Sequence, residues 1–294
     1  GGNVVHPFQA MLDYTFAYMS AGLAGLVRKQ VMVPNWKQTL FISLAALFVS
    51  LASYAQSIET KMVSHALSFL DVPYVANTLE MDGEEELVIN CDEVDCTTFV
   101  EYVMALAKTP EQANGDISET AFAENLTKIR YRNGKIDGYT SRLHYVSDWI
   151  NNGLRNGLIE DITAANSPYS TSLKLNYMTT HPSNYKQLAN SPENVATMKK
   201  IENSLTGSEY HFLPKEKLGH NGNLWIKNGD IICFTTNIAG LDVSHMGIAF
   251  YADSKLTLIH ASSTEKKVVV SKISLAQMLQ QNDNVVGIRV LRVK

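Results

Sequence analysis

Asp95-Cys96-Thr97-Thr98-Phe99-Val100-Glu101-Tyr102-Val103-Met104-Ala105-Leu106-Ala107-Lys108 is the stretch on which the fold turns. Asp95 is a good helix N-cap, because a carboxylate accepts the backbone N–H groups that a first turn leaves open. Phe99, Val100, Val103, Met104 and Ala107 form one apolar stripe at helical spacing, so a helix begins at Cys96 and carries that cysteine in its first turn. A helix start supplies N–H groups and partial positive charge that favour thiolate, so Cys96 is expected to titrate below the free thiol value of about 8.5. The competing reading is that a lone cysteine beside an apolar stripe belongs to the core, and only suitable partners elsewhere displace it.

Upstream, Ile58, Met62, Ala66, Phe69 and Leu70 recur at helical spacing and Pro73 ends the pattern, which predicts an amphipathic helix over Ser57–Asp71. Before it lies a strongly apolar run, Leu40–Leu51, preceded by Lys37 and followed by the small-residue stretch Ser53-Tyr54-Ala55. This reads as a cleavable export signal. A membrane anchor is the alternative, but the run falls short of the roughly 20 residues that cross a bilayer. Met32 is a natural start, which sets Gly1–Val31 apart as upstream residues. Residues 1–55 are therefore expected to be upstream sequence and signal, and 56–294 a single domain. The protein is expected to be exported, periplasmic or secreted, without stable membrane insertion after cleavage.

Downstream, residues 107–223 are polar and mixed, with weak helical patterns near Glu119–Ile129 and Tyr145–Leu154 and turn signals such as Asn133-Gly134. They read as an insertion of loops and short helices for substrate recognition. Then the character changes. Asp230–Thr235, Val243–Tyr251, Lys255–Ala261, Lys267–Ser271 and Val285–Val293 are β-branched runs separated by turns, the signature of an antiparallel meander. Helices first and strands last indicate an α+β fold.

Two of those strands bear His245 and His260. A two-residue loop at Ala252-Asp253 sets the two directly opposite each other, and one at Asp253-Ser254 makes them diagonal neighbours on the same face. A three-residue loop separates them onto opposite faces. A cysteine at a helix start with a histidine oriented by a second polar group is the layout of a cysteine-dependent acyl transferase or amidase. The plainer reading makes both histidines satisfied strand residues.

Pro73-Tyr74, Asp95-Cys96-Thr97-Thr98-Phe99-Val100, Lys227-Asn228-Gly229-Asp230-Ile231-Ile232, Ser244-His245-Met246-Gly247-Ile248-Ala249 and Ile259-His260-Ala261-Ser262-Ser263 together resemble the ordered signatures of the NlpC/p60 superfamily of papain-like cell-wall cysteine peptidases. The resemblance implies a papain-like core with the nucleophile at a helix N-terminus packed on an antiparallel meander or partial barrel. It implies Cys96 as nucleophile, His245 as general base and then acid, and His260 as the group orienting His245. Tyr74 would assist the oxyanion together with the Cys96 backbone N–H. Thr97-Thr98 departs from the superfamily's usual Ser-Gly, and the insertion is far longer than in small endopeptidases, so specificity should differ.

A narrower likeness adds Glu101, Ser141-Arg142-Leu143-His144-Tyr145 with Asp148-Trp149, Gly240-Leu241-Asp242 and Gly287-Ile288-Arg289-Val290. It is similar to a branch of uncharacterised domains described as N-acetylmuramoyl-L-alanine amidase-like. That branch implies cleavage between the muramic acid lactyl group and L-alanine of peptidoglycan fragments, including anhydro-muropeptides, with no metal or other cofactor. Arg142, His144 and Trp149 offer a carboxylate clamp and a ring on which a sugar could stack, or else a solvated loop and helix face. Asp242 is a turn residue or a polar contact for the sugar.

Composition closes off other classes. Of 294 residues, 45% are hydrophobic and 18% charged, ample for a core, and the formal net charge of -4 advertises neither nucleic acid nor anionic lipid. Three cysteines make no disulfide framework; Cys91 and Cys233 read as structural. Three rivals remain: a γ-D-glutamyl-diaminopimelate endopeptidase of the same fold, a non-catalytic peptidoglycan-binding module, and a zinc amidase using His144, His181, His211 or His220. The last lacks HExxH-like spacing.

Overall fold

The computed structural model describes residues 57–112 and 115–294. The expected leader, residues 1–55, lies outside them, and Ile58–Lys294 form one compact unit.

The first helix, α1 (Ile58–Ser68), ends before the expected Asp71, which takes a left-handed φ of 67° and donates its N–H to Val268 O at 3.0 Å. The chain thereby leaves the helix to meet the sheet. Helix α2 (Cys96–Lys108) starts at the expected residue. The Asp95 carboxylate accepts from Thr97 N at 3.0 Å and Thr98 N at 2.8 Å, while the Thr98 hydroxyl accepts from Asp95 N at 2.9 Å, completing a capping box. The stripe expected from sequence understates the burial of α2: residues 98–107 are buried on every side. Helix α1, helix α3 (Glu119–Arg130) and two strands of the sheet surround it. Its buried Glu101 accepts from Arg130 Nε at 2.7 Å, an ion pair between α2 and α3 that periodicity does not reveal.

Helix α4 (Val146–Arg155) leads into β1 (Ile159–Asp161), α5 (Ile162–Asn166) and β2 (Ser170–Ser172). Short helices α6 (Tyr177–Thr180) and α7 (Lys186–Ala189) precede α8 (Pro192–Leu205) and strands β3 (Glu209–His211) and β4 (Leu213–Pro214). The meander follows as β5 (Ile231–Thr236), β6 (Val243–Ala252), β7 (Lys255–Ser262) and β8 (Lys267–Val270), then α9 (Leu275–Gln280) and β9 (Val285–Val293). The order β1-β9-β5-β6-β7-β8, with β4 also on β9, makes one seven-stranded antiparallel sheet. The fold is α+β.

The stretch read as an insertion thus differs from expectation in one respect: β1 and β4 complete the main sheet on β9. Strands of two or three residues are too short to show a period of two, so sequence patterning misses them. This stretch also has a core of its own, in which Tyr139, Tyr145, Leu173, Leu175, Met178 and Leu188 pack with Met198 and Leu205 of α8. A second cluster, built from Ile232, Phe234, Leu256, Leu258 and Val290 with Leu275 and Leu279 of α9, covers one face of the sheet.

The β6–β7 turn takes the second of the two sequence alternatives. Ala252 pairs with Lys255, and Asp253 and Ser254 both sit at left-handed φ, 48° and 63°, as a type I′ turn requires. His245 and His260 are therefore diagonal. Pairing between β6 and β7 runs only as far as Ile248–Ile259, and both histidines lie just past its end.

Candidate active site

Two elements, α2 and β6, meet at Cys96. The capping box fixes it in the first turn of α2, the Met246 N–H of β6 hydrogen-bonds toward its sulfur, and the Thr97 hydroxyl lies 4.0 Å from the sulfur. The sulfur is packed in protein, and burial is the largest influence on it, raising the thiol to about 11, with the Asp95 carboxylate adding to the rise. This corrects the depressed value expected from the helix start. The first-turn Thr97 and Thr98 N–H groups are spent on Asp95, and the cap that builds the helix places a negative charge beside the sulfur.

His245 follows a β-bulge at Ser244. Phe234 pairs with His245 whereas Thr235 pairs with Val243, so one extra residue of β6 re-aims the strand at His245. Its ring meets Phe234 edge-on with centroids 5.3 Å apart and His260 edge-on at 4.9 Å. His245 Nε2 and His260 Nδ1 are hydrogen-bonded at 2.8 Å. Burial, then the neighbouring His260, lowers His245 to about 3, and burial lowers His260 to about 4 against a smaller upward pull from Glu265. Both rings are neutral near pH 7. With Nε2 engaged, Nδ1 of His245 is the nitrogen left to exchange a proton with a thiol.

Tyr74 is brought to the same place by backbone pairing. Val94 N donates to Pro73 O and Val75 N to Val94 O, both at 3.0 Å, which lays Tyr74 alongside the chain entering α2. Burial and then the Cys96 and Asp95 charges raise its hydroxyl, which stays protonated as a donor.

The other sequence candidates behave differently. Arg142 is only 5% exposed, and its guanidinium is taken up by Glu80 at 3.0 Å and Glu85 at 3.1 Å, so it is not a free carboxylate clamp. Trp149 is 3% exposed inside α4 and offers no face to a sugar. Neither belongs to a solvated face either. Asp242 accepts from Ser147 N at 2.6 Å and Val243 N at 2.9 Å. It supplies the cap that the helix's own Tyr145 lacks, tying α4 to the start of β6. His144 remains beside the site: its Nε2 is 2.9 Å from Tyr139 O, and burial, then Arg142, lowers it to about 3. It lines a cleft of about 120 Å³ with Asp95, Thr97, Thr98 and Leu79 at the first turn of α2. His181 and His211 are bonded to Tyr177 O and Ser167 O, and the three cysteines are free thiols.

A family model described as AmiA-like, N-acetylmuramoyl-L-alanine amidase-like, matches residues 64–288. The chain belongs to this family. A model for a thiamine transporter protein matches residues 1–66, of which 1–56 lie outside the described residues and the rest fall at the start of the AmiA-like chain. No curated protein matches the chain. Among solved structures, an N-acetylmuramoyl-L-alanine amidase from Bacteroides uniformis is 69% identical with a TM-score of 0.79, covering 79% of this chain and 98% of its own. A Bacteroides fragilis protein proposed to be a xylanase is 61% identical with a TM-score of 0.76, covering 79% and 100%. Protein LPG0564 from Legionella pneumophila, at 23% identity and a TM-score of 0.63 over 87% and 95%, shares the fold. Among the described residues of the AmiA-like chain no helix is long and apolar enough to cross a membrane.

Sequence reasoning missed the Met246 N–H, a backbone group without a side-chain signature, and the partners of Arg142. The run Glu80-Met81-Asp82-Gly83-Glu84-Glu85-Glu86 was the available signal for the latter: a dense acidic segment in a chain with a buried arginine.

Proposed function

We propose that this AmiA-like protein is an exported cysteine amidase with a papain-like core. It hydrolyses the amide between the muramic acid lactyl group and L-alanine of muropeptides, anhydro forms included. The observation that carries the reading is the 2.8 Å His245–His260 bond at the end of the β6–β7 ladder, on the strand whose Met246 N–H reaches the Cys96 sulfur. The names of the family and of the Bacteroides uniformis relative support the bond, and the apolar run Leu40–Leu51 supports export.

The resting pair is a neutral thiol and a neutral imidazole. Attack therefore couples two events: the sulfur bonds to the lactyl carbonyl carbon as its proton passes to His245 Nδ1. His260 accepts from His245 Nε2–H, which holds the tautomer and strengthens as the imidazolium forms. The Cys96 N–H and the Tyr74 hydroxyl donate to the oxyanion. The C–N bond then breaks as His245 protonates the L-alanine nitrogen, and the stem peptide leaves. Water attacks the muramoyl thioester, gives its proton to His245, and the sulfur departs and is reprotonated.

A glycosidase mechanism is less well served, since the carboxylates beside the thiol are committed: Asp95 to the Thr97 and Thr98 N–H groups, Glu101 to Arg130. Mass analysis of a digested anhydro-muropeptide tests the proposal. The expected products are the sugar bearing a free lactyl carboxylate and an intact stem peptide beginning with L-alanine, with none from Cys96→Ala. Sugar retaining L-Ala-D-Glu would indicate the endopeptidase, and binding without turnover the non-catalytic module.

A further inference from the structure

The connection from β5 to β6 is fastened to the segment before the meander at three successive residues. Gly240 O accepts from Asn176 N at 3.2 Å and from Tyr177 N at 3.1 Å. Leu241 packs into the core of Tyr145, Leu175 and Met178. Asp242, only 4% exposed, completes the attachment: its Oδ2 accepts from Ser147 N at 2.6 Å and its Oδ1 from Val243 N at 2.9 Å. One buried carboxylate thus holds the first turn of α4 with one oxygen and the first residue of β6 with the other.

Both chains that this carboxylate joins lead to the site by equal steps. His144, which lines the cleft at the first turn of α2, lies three residues before Ser147, and His245 lies three residues after Asp242. Between Asp242 and His245 stands the bulge at Ser244, and pairing with β7 begins only at Ile248. Residues 243–247 are therefore laddered on one side alone, to β5, across a shift of register. A bulged strand held by a single ladder leaves the aim of a ring to whatever fixes its ends. Downstream of His245 that anchor is the Met246 N–H on the Cys96 sulfur. Upstream it is Asp242.

We propose that Asp242 is a positioning residue for the reaction, clasping α4 to β6 so that the His245 ring is fixed against both the thiol and the cleft wall that carries His144. The assignment rests on the reading of His245 as the proton-transfer group. It also accounts for the residue type. Asn has the same shape but a single acceptor, so it keeps one N–H partner and turns its own NH₂ toward the other. Ser can still accept from Val243 N but is too short for Ser147, so it preserves the local turn and opens the clasp. The carboxylate does not act on His245 through its charge, since burial and His260 are the influences on that ring.

The test uses the full chain and its Asp242→Asn and Asp242→Ser variants, with near-ultraviolet circular dichroism giving the folded fraction. Proton NMR of protein labelled with 15N-histidine reads the imidazole N–H of the His245–His260 hydrogen bond without any substrate. That resonance should shift or broaden in both variants. On an anhydro-muropeptide, kcat per folded molecule should fall about tenfold in Asp242→Asn and about 10²-fold in Asp242→Ser. KM should stay within twofold, and the acid limb of the pH profile should not move. A native resonance in the folded variants overturns the proposal, as does a rise in KM at unchanged kcat, which would make Asp242 a substrate contact. Loss of the near-ultraviolet signal in both variants also overturns it, leaving the clasp a requirement of folding. A perturbed resonance in the variants of a protein that cleaves no lactyl amide would sink the amidase reading and keep the clasp. Cleavage by the native protein with both variants unperturbed would do the reverse.

Discussion

At the scale of single residues, the candidate site holds a thiol and an imidazole that burial keeps neutral near pH 7, so the proposed mechanism ionises them only at the moment of attack. Cys96 is pushed up to about 11 and His245 down to about 3, so kcat/KM should hold a broad plateau across neutral pH. The acid limb, where His245 gains its proton, should lie well below the ordinary histidine value of about 6.5. A pH–rate profile with an acid limb near 6.5 would contradict the neutral pair. Asp95 has two opposed effects, since the carboxylate that caps α2 also disfavours the thiolate. Asn is an equally good N-cap. Asp95→Asn should thus leave the melting temperature nearly unchanged while lowering the thiol value, seen as faster iodoacetamide alkylation at pH 8; unchanged or slower alkylation would remove Asp95 from the account. His260→Ala should reduce kcat by about 10²-fold with little change in KM, since the proposed mechanism uses it only to hold the ring of His245.

At the scale of elements, the site sits where regular pairing gives out. The I′ turn at Asp253-Ser254 sets the register, the bulge at Ser244 re-aims β6, and the β6–β7 ladder stops before the histidines. Gly247 keeps that junction closed: a Cβ there would lie 2.7 Å from Leu258 Cγ and 2.9 Å from Ile259 O. Gly247→Ala should cost about 1–3 kcal/mol, read by urea denaturation, and should lower kcat by displacing β7 and His260; an unperturbed variant would show that the strands accommodate a methyl group. Helix α2 depends in the same way on α3. Glu101→Gln leaves the Arg130 charge buried without its counter-ion, and loss of a buried partner costs about 3–5 kcal/mol.

At the scale of the whole molecule, burial of neutral histidines ties stability to pH. His65, His144, His245 and His260 are all lowered, to between about 3 and 4, chiefly by burial. Each binds a proton less readily folded than unfolded. Its contribution is therefore complete above about pH 6.5 and is lost as pH falls toward the folded value. The raised carboxylates of Glu101 and Asp242 act in the opposite sense, so the histidine share is best read as a difference. His65→Gln, on α1 away from the site, should flatten the fall in urea stability between pH 6.5 and 4.5 by at most about 1.4 kcal/mol per pH unit. Equal slopes in the two proteins would show that His65 is not held neutral by folding.

What the amino-acid order determined by itself was whatever is written in near neighbours. The Asp95 cap and the apolar spacing after it start α2 at Cys96, alternating β-branched runs give β5 to β9, and turn residues restrict His245 and His260 to two arrangements on one face. Tertiary structure decided what depends on atoms far along the chain. It chose between the two turns and drew β1 and β4 into the sheet. It buried Trp149, committed Arg142 to Glu80 and Glu85 and Asp242 to the start of α4, and reversed the direction of the thiol. Desolvation and ion pairing depend on what packs around a group, and for Arg142 the partner Glu80 lies 62 residues away in sequence.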